Sequence, residues 1–189
     1  MASKSHVDAI AALTAEEAAK VLHTLLKRHP ELHDEAAAIA AGTLGDVTYQ
    51  DVADEVESEV LQFDDDDLYS RAGARSHGYV GPDEAAQELL EEAVQPFNDK
   101  IKRCLQAGME EQAEELCKGI ILGLYRVRDD VENDVLREAE GFAPDAAGAA
   151  FDVWSGTGIA LGKSKRKLPR EFILNHAPEW ASFLLKKRG

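Results

Sequence analysis

Apolar residues recur at three- and four-residue intervals along most of the chain, the period of helices with one face turned inward. Thr14 and Glu17 have the spacing of a capping box, and Ala18, Val21, Leu22, Leu25 and Leu26 follow on one face. Pro30 ends that helix, because it lacks a backbone donor and restricts His29. Residues 31–41 read as a second short helix, ended by Gly42. Thr48 and Asp51 cap a third, whose face carries Val52, Val56 and Val60 and which runs to the region of Phe63. After the acidic run 64–67, a loop rich in Gly, Ser and Arg extends to Gly81. Pro82 suits the first position of a long helix with Ala86, Leu89, Leu90, Ala93, Val94, Phe97, Ile101, Cys104 and Leu105 inward. The period continues through Pro96, so a kink is expected there. Ala107 and Gly108 make a tight turn into a helix striped by Ala113, Leu116, Cys117, Ile120, Ile121 and Leu124, with polar residues 126–140 extending it. Pro144 and Asp145 start an Ala-rich segment at 146–154, a glycine-rich stretch fills 156–162, and Pro178 separates two short helices at 169–176 and 178–187.

No sustained apolar/polar alternation appears, so strands should be few or absent. Two long amphipathic helices joined by so short a turn pack antiparallel. The expected fold is all-α, with antiparallel helical hairpins stacked as an irregular α–α superhelix or bundle. Residues 1–155 form its helical domain, 156–170 a glycine-rich and basic linker, and 171–189 a C-terminal helical segment docked on the main domain.

Composition narrows the function classes. The 189 residues carry a net charge of −15, which argues against a nucleic-acid binder. The charge is unevenly placed: residues 163–189 carry +6 and the remainder −21. A basic tail on an acidic body either folds back or reaches an acidic partner, and Phe172, Ile173, Leu174, Trp180, Phe183 and Leu184 favour folding back. No apolar run approaches the ~18–20 residues of a membrane span. The start, MASKSHVDAI, shows no charged-then-apolar leader pattern, and a cytoplasmic location is expected. Two cysteines exclude a disulfide scaffold and an all-cysteine metal cluster.

Each candidate for chemistry has a plainer reading. Thr157 to Ser164, T-G-I-A-L-G-K-S, matches the end of a phosphate-binding loop but holds Thr157 where the first glycine belongs. His29 and His33 have metal-ligand spacing, but Pro30 breaks the helix between them. Glu91, Glu92, Glu111, Glu114 and Glu115 lie near the pairing that helical magnesium-dependent hydrolases use, yet the inward positions beside the last three are Ala113, Leu116 and Cys117. The acidic runs at 64–67 and 129–134 lack the alternation of a calcium loop. Cys104 and Cys117 read as small buried hydrophobes. No catalytic residue, cofactor or metal is expected.

The stretches A-A-Q-E-L-L-E-E-A-V (85–94) and A-G-M-E-E-Q-A-E-E-L-C (107–117) resemble a tetratricopeptide-like helical hairpin. The segments at 13–32, with R-H-P-E-L, and at 105–113, L-Q-A-G-M-E-E-Q-A, resemble the helical region that follows the zinc finger in bacterial SWIM-type zinc-finger proteins. This chain has no zinc-binding Cys/His cluster, so the resemblance implies the hairpin scaffold and not the zinc or nucleic-acid role. The expected function is a non-enzymatic scaffold or interaction module for a basic protein or peptide partner, without nucleic acid or membrane. The alternatives are an all-α magnesium-dependent hydrolase using helix carboxylates, and a structural homo-oligomer or homodimer built through residues 143–154 with Phe151 and Trp154. The expected interaction surface is Tyr125, Arg126 and Arg128 at the end of the best helix, with Lys163, Lys165, Arg166, Lys167 and Arg170 of the basic tail.

Overall fold

Thr14 starts α1 (Ala15–Arg28) with a complete capping box: Glu17 N–H donates to Thr14 Oγ1 at 3.3 Å, and Thr14 N–H donates back to Glu17 Oε2 at 2.9 Å. A single 3₁₀ turn, Pro30–Leu32, leads into α2 (His33–Gly45). Gly42 does not end this helix but lies inside it, because its backbone stays helical and Thr43 and Leu44 continue the turn. The computed structural model describes residues 10, 12–45, 47–75, 78–156 and 166–185. The chain divides into two units, residues 1–43 and 44–189. Among the described residues of the first unit, none is buried.

Among its described residues, the second unit is all-α apart from one small hairpin. Its helices are α3 (Tyr49–Leu61), α4 (Asp65–Arg71), α5 (Pro82–Gln106), α6 (Glu110–Val127), α7 (Asp134–Glu138), α8 (Phe142–Ser155), α9 (Arg170–His176) and α10 (Ala181–Leu184), with a 3₁₀ turn at Pro178–Trp180. Asp64 caps α4 through its own side chain, so the acidic run serves as a helix start. The stretch read as a loop instead pairs β1 (Gly73–Arg75) with β2 (Gly78–Val80), antiparallel, with Gly73 opposite Val80. Gly73 and Gly78 supply positive φ angles of 119° and 139° that other residues resist.

α5 runs without interruption through Pro96 and closes in a Schellman turn. Met109 N–H donates to Cys104 O at 2.8 Å and Gly108 N–H to Leu105 O at 3.2 Å, with Gly108 at φ 74°. α6 folds back from this turn onto α5. It ends at Val127 rather than extending to 140, because Asp130 Oδ1 accepts from the N–H groups of Glu132 and Asn133, and Asn133 then caps α7.

α6 is the centre of the core. Gly119, Ile120, Ile121, Leu122, Gly123 and Leu124 are all buried, so this stretch meets protein on every side. α5 and α8 cover two of those sides and α3 a third. The α3 contact is a backbone approach. A Cβ on Gly119 would lie 2.5 Å from Val52 Cγ1 and 2.9 Å from the Tyr49 carbonyl oxygen, and one on Gly123 would lie 2.7 Å from the Ala53 carbonyl oxygen. Tyr49 meets Glu115 and Arg126 meets Asp54 and Glu57, so positions on both helices advance together. α3 and α6 therefore run parallel, whereas α5 and α6 form a hairpin.

Replacing Gly119 or Gly123 with Ala adds helix propensity but sets a methyl 2.9 or 2.7 Å from a carbonyl oxygen. Either change is expected to destabilise the second unit by about 1–3 kcal/mol, read as a lowered denaturant midpoint. Gly42→Ala meets nothing within 4 Å. It should raise helicity by circular dichroism, reflecting a gain of about 1 kcal/mol in α2.

Candidate functional site

The expected interaction residues are mostly engaged with their own chain. Tyr125 is half-buried and stands edge-on to Trp180, ring centroids 5.1 Å apart. The Arg128 guanidinium lies 3.7 Å from the centre of the Tyr125 ring, donates to Tyr125 O at 2.6 Å and reaches Glu179 at 3.2 Å. Arg126 points the other way, to Asp54 at 2.5 Å and Glu57 at 3.3 Å. Arg166 donates to Glu110 at 2.7 Å beside the Trp154 ring. Lys167 and Arg170 are exposed, and Lys163 and Lys165, like the 157–164 motif, lie outside the described residues.

These contacts fasten the C-terminal segment along α6. Leu168, Phe172, Ile173, Ala177, Trp180 and Leu184 are buried, Phe183 is half-buried, and Leu174 stays exposed. At the other end Phe172 meets Tyr49 edge-on at 5.4 Å, and Lys118, held by Glu114 at 2.6 Å and Glu115 at 3.0 Å, lies over the Phe172 ring. Burial disfavours the Lys118 charge, but the two carboxylates outweigh it and raise its pKa above the usual lysine value.

The other candidates resolve in the same way. Glu92 is paired with Arg71 at 2.7 Å, Glu91 accepts from Gln87 at 2.7 Å, and Glu114 and Glu115 serve Lys118. Among the described residues no three His, Cys, Asp or Glu side chains come together as metal ligands. His29 Nδ1 lies 3.0 Å from Glu31, while His33 Nδ1 lies 2.8 Å from Pro30 O. Phe151 and Trp154 are buried inside the chain, so they offer no surface for a homodimer through 143–154. Among the described residues no helix is long and apolar enough to cross a membrane.

The site that emerges is a cleft of about 310 Å³ between α5 and α8. From α5 come Gln87, Glu91, Val94, Gln95 and Asn98, and from α8 come Phe142, Asp145, Ala146 and Ala149. The spacing of each set is that of one helix face. Ala146 and Ala149 keep the α8 wall low, and Val94 and Phe142 supply apolar surface. Asn98 is only 9% exposed, and its Oδ1 is buried with no hydrogen-bond partner. Such an acceptor costs free energy when left unmet. Gln87 and Gln95 each donate one amide N–H, to Glu91 and Asp99 respectively. The lining therefore combines the unpartnered Asn98 with two carboxylates, Glu91 and Asp145, and no basic side chain.

Sequence reading passed over Asn98, although the signal is present. It sits four residues after Val94 and three before Ile101, a polar residue in register with the apolar stripe. No family model matches the chain, and neither a curated protein nor a solved structure matches it.

Burial pushes the Cys117 thiol far above the usual thiol range and raises Cys104 as well. Both should resist Ellman's reagent in the native protein and react only on unfolding. Arg128→Ala should speed hydrogen exchange across 170–184 while leaving α3 and α6 protected, since of the contacts it releases, to Tyr125, Asp129 and Glu179, only the last reaches the C-terminal segment.

Proposed function

We propose that this protein is a non-enzymatic helical scaffold that binds a basic peptide segment of a partner protein in the α5–α8 cleft. The observation that carries the reading is the buried, unpartnered Asn98 Oδ1 in a cleft whose only charges are Glu91 and Asp145. A guanidinium or ammonium group supplies several donors and no acceptor, which complements that lining. The aliphatic stem of the same side chain suits the apolar surface of Val94, Phe142 and Ala146. The −21 charge of residues 1–162 would draw such a segment in from a distance and make its capture salt-dependent.

The scaffold reading draws further support from the α5–α6 hairpin. Its turn at Ala107–Gly108 is the feature that resembles tetratricopeptide-like hairpins and the helical region of SWIM-type proteins. Helix pairs of that kind hold grooves between elements for extended partners.

The test uses fluorescence anisotropy with labelled peptides that carry either arginine or citrulline between apolar residues. Wild-type protein should bind the arginine peptides more tightly, and added salt should weaken them. Glu91→Gln with Asp145→Asn should lower that affinity about tenfold. Asn98→Leu should abolish the preference while stabilising the fold by about 1–2 kcal/mol, because the unmet acceptor is gone. Equal binding of both peptides, or full binding by the Asn98→Leu variant, would sink the proposal.

A further inference from the structure

α1 carries an apolar stripe that its own unit leaves open. Val21 is 49% exposed, Leu22 52% and Leu25 44%. None of the described residues of the first unit is buried, so α1 and α2 build no core between them. A unit of this size cannot hold a two-helix hairpin by propensity alone and needs another surface to cover the stripe.

The charges on α1 specify that surface. Glu17 lies in the first turn and Arg28 in the last. They are eleven residues apart, about three full turns, so both flank the stripe on the same side. The midpoint between them falls between Leu22 and His23, which is also the centre of the stripe Ala18, Val21, Leu22, Leu25 and Leu26. A two-fold axis through that point sets the apolar residues of two antiparallel helices against each other. The same axis brings Glu17 of each copy opposite Arg28 of the other. A parallel arrangement would set the two copies of each charge on opposite sides of the seam, so that neither faces its complement. The capping box uses Oε2 of Glu17 for both of its bonds to Thr14, which leaves Oε1 for a guanidinium.

We propose that the protein forms a homodimer in which α1 packs antiparallel against α1 of a second copy, with Leu22 near the two-fold axis and reciprocal Glu17–Arg28 pairs at its ends. The contact is isologous and closes at two copies. It is independent of the α5–α8 cleft, which belongs to the other unit.

Sedimentation equilibrium on the full chain tests this. The wild type should be a dimer at micromolar concentration, and Leu22→Asp should be a monomer of unchanged second-unit stability. Glu17→Arg and Arg28→Glu each replace two attractive pairs with two repulsive ones. Each should weaken dimerisation about tenfold. The double swap restores opposite charges across the axis and should recover most of the loss, even though each change disturbs the helix ends. Leu22→Cys should cross-link to itself on mild oxidation, because Cys104 and Cys117 are buried. A monomer at every concentration would overturn the proposal and indicate that the second unit or another protein covers the stripe. A dimer that survives Leu22→Asp, or a double swap no better than the single ones, would overturn it equally.

Discussion

The backbone approach of α3 to α6 at Gly119 and Gly123 governs the arrangement of the larger unit. With no side chain between them, the two helices come close enough for the Ala53 carbonyl oxygen to lie 2.7 Å from where a Cβ on Gly123 would stand. That contact fixes the rotation of α6 about its own axis. Once it is fixed, Ile120, Ile121 and Leu124 must be covered by the other elements of the unit, and α5 and α8 take two of the remaining sides. The seam between α5 and α8, with its low alanine wall, is thus tied to the contact that α6 makes with α3.

Parallel helices align their dipoles unfavourably, and the charged residues along this pair answer that. Glu115 accepts from the first N–H of α3 at 2.9 Å, placing a carboxylate where the helix is most positive. Arg126 joins the last turn of α6 to the acidic side of α3. The C-terminal segment then spans the same helix, from Phe172 beside Tyr49 to Trp180 beside Tyr125. Much of the basic charge near α6 is spent inside the chain, and the acidic surface elsewhere is left facing outward.

Local signals were easy to read in the sequence. The capping box at Thr14, the turn at Gly108 and the stripe of α6 follow from spacing and side-chain chemistry alone. What escaped depends on contacts between distant residues. Gly119 and Gly123 look like weak points in a helix until α3 is laid across them. Gly42 looks like a helix end, yet nothing at that position forces the chain to turn. Arg126 and Arg128 look like free cations, because Asp54 and Glu179 are 72 and 51 residues away. The β-hairpin was hidden because its strands are three residues each, too short to show alternation. Asn98 was hidden by the stripe it interrupts. The all-α class was legible and the position of the cleft was not, since a cleft is made by two helices and neither declares its neighbour.

The parallel pairing also sets an order of events during synthesis. α3 leaves the ribosome well before its partner exists, since the residues that join the two helices are 66 to 72 positions apart. At usual elongation rates that gap is about 3–14 s, during which Val52 and Val56 have no glycine face to meet. The α5–α6 hairpin needs only local contacts and forms as soon as it emerges. α3 must then swing back onto a finished template, so the nascent chain carries an uncovered valine edge for seconds, long enough for a chaperone to find it.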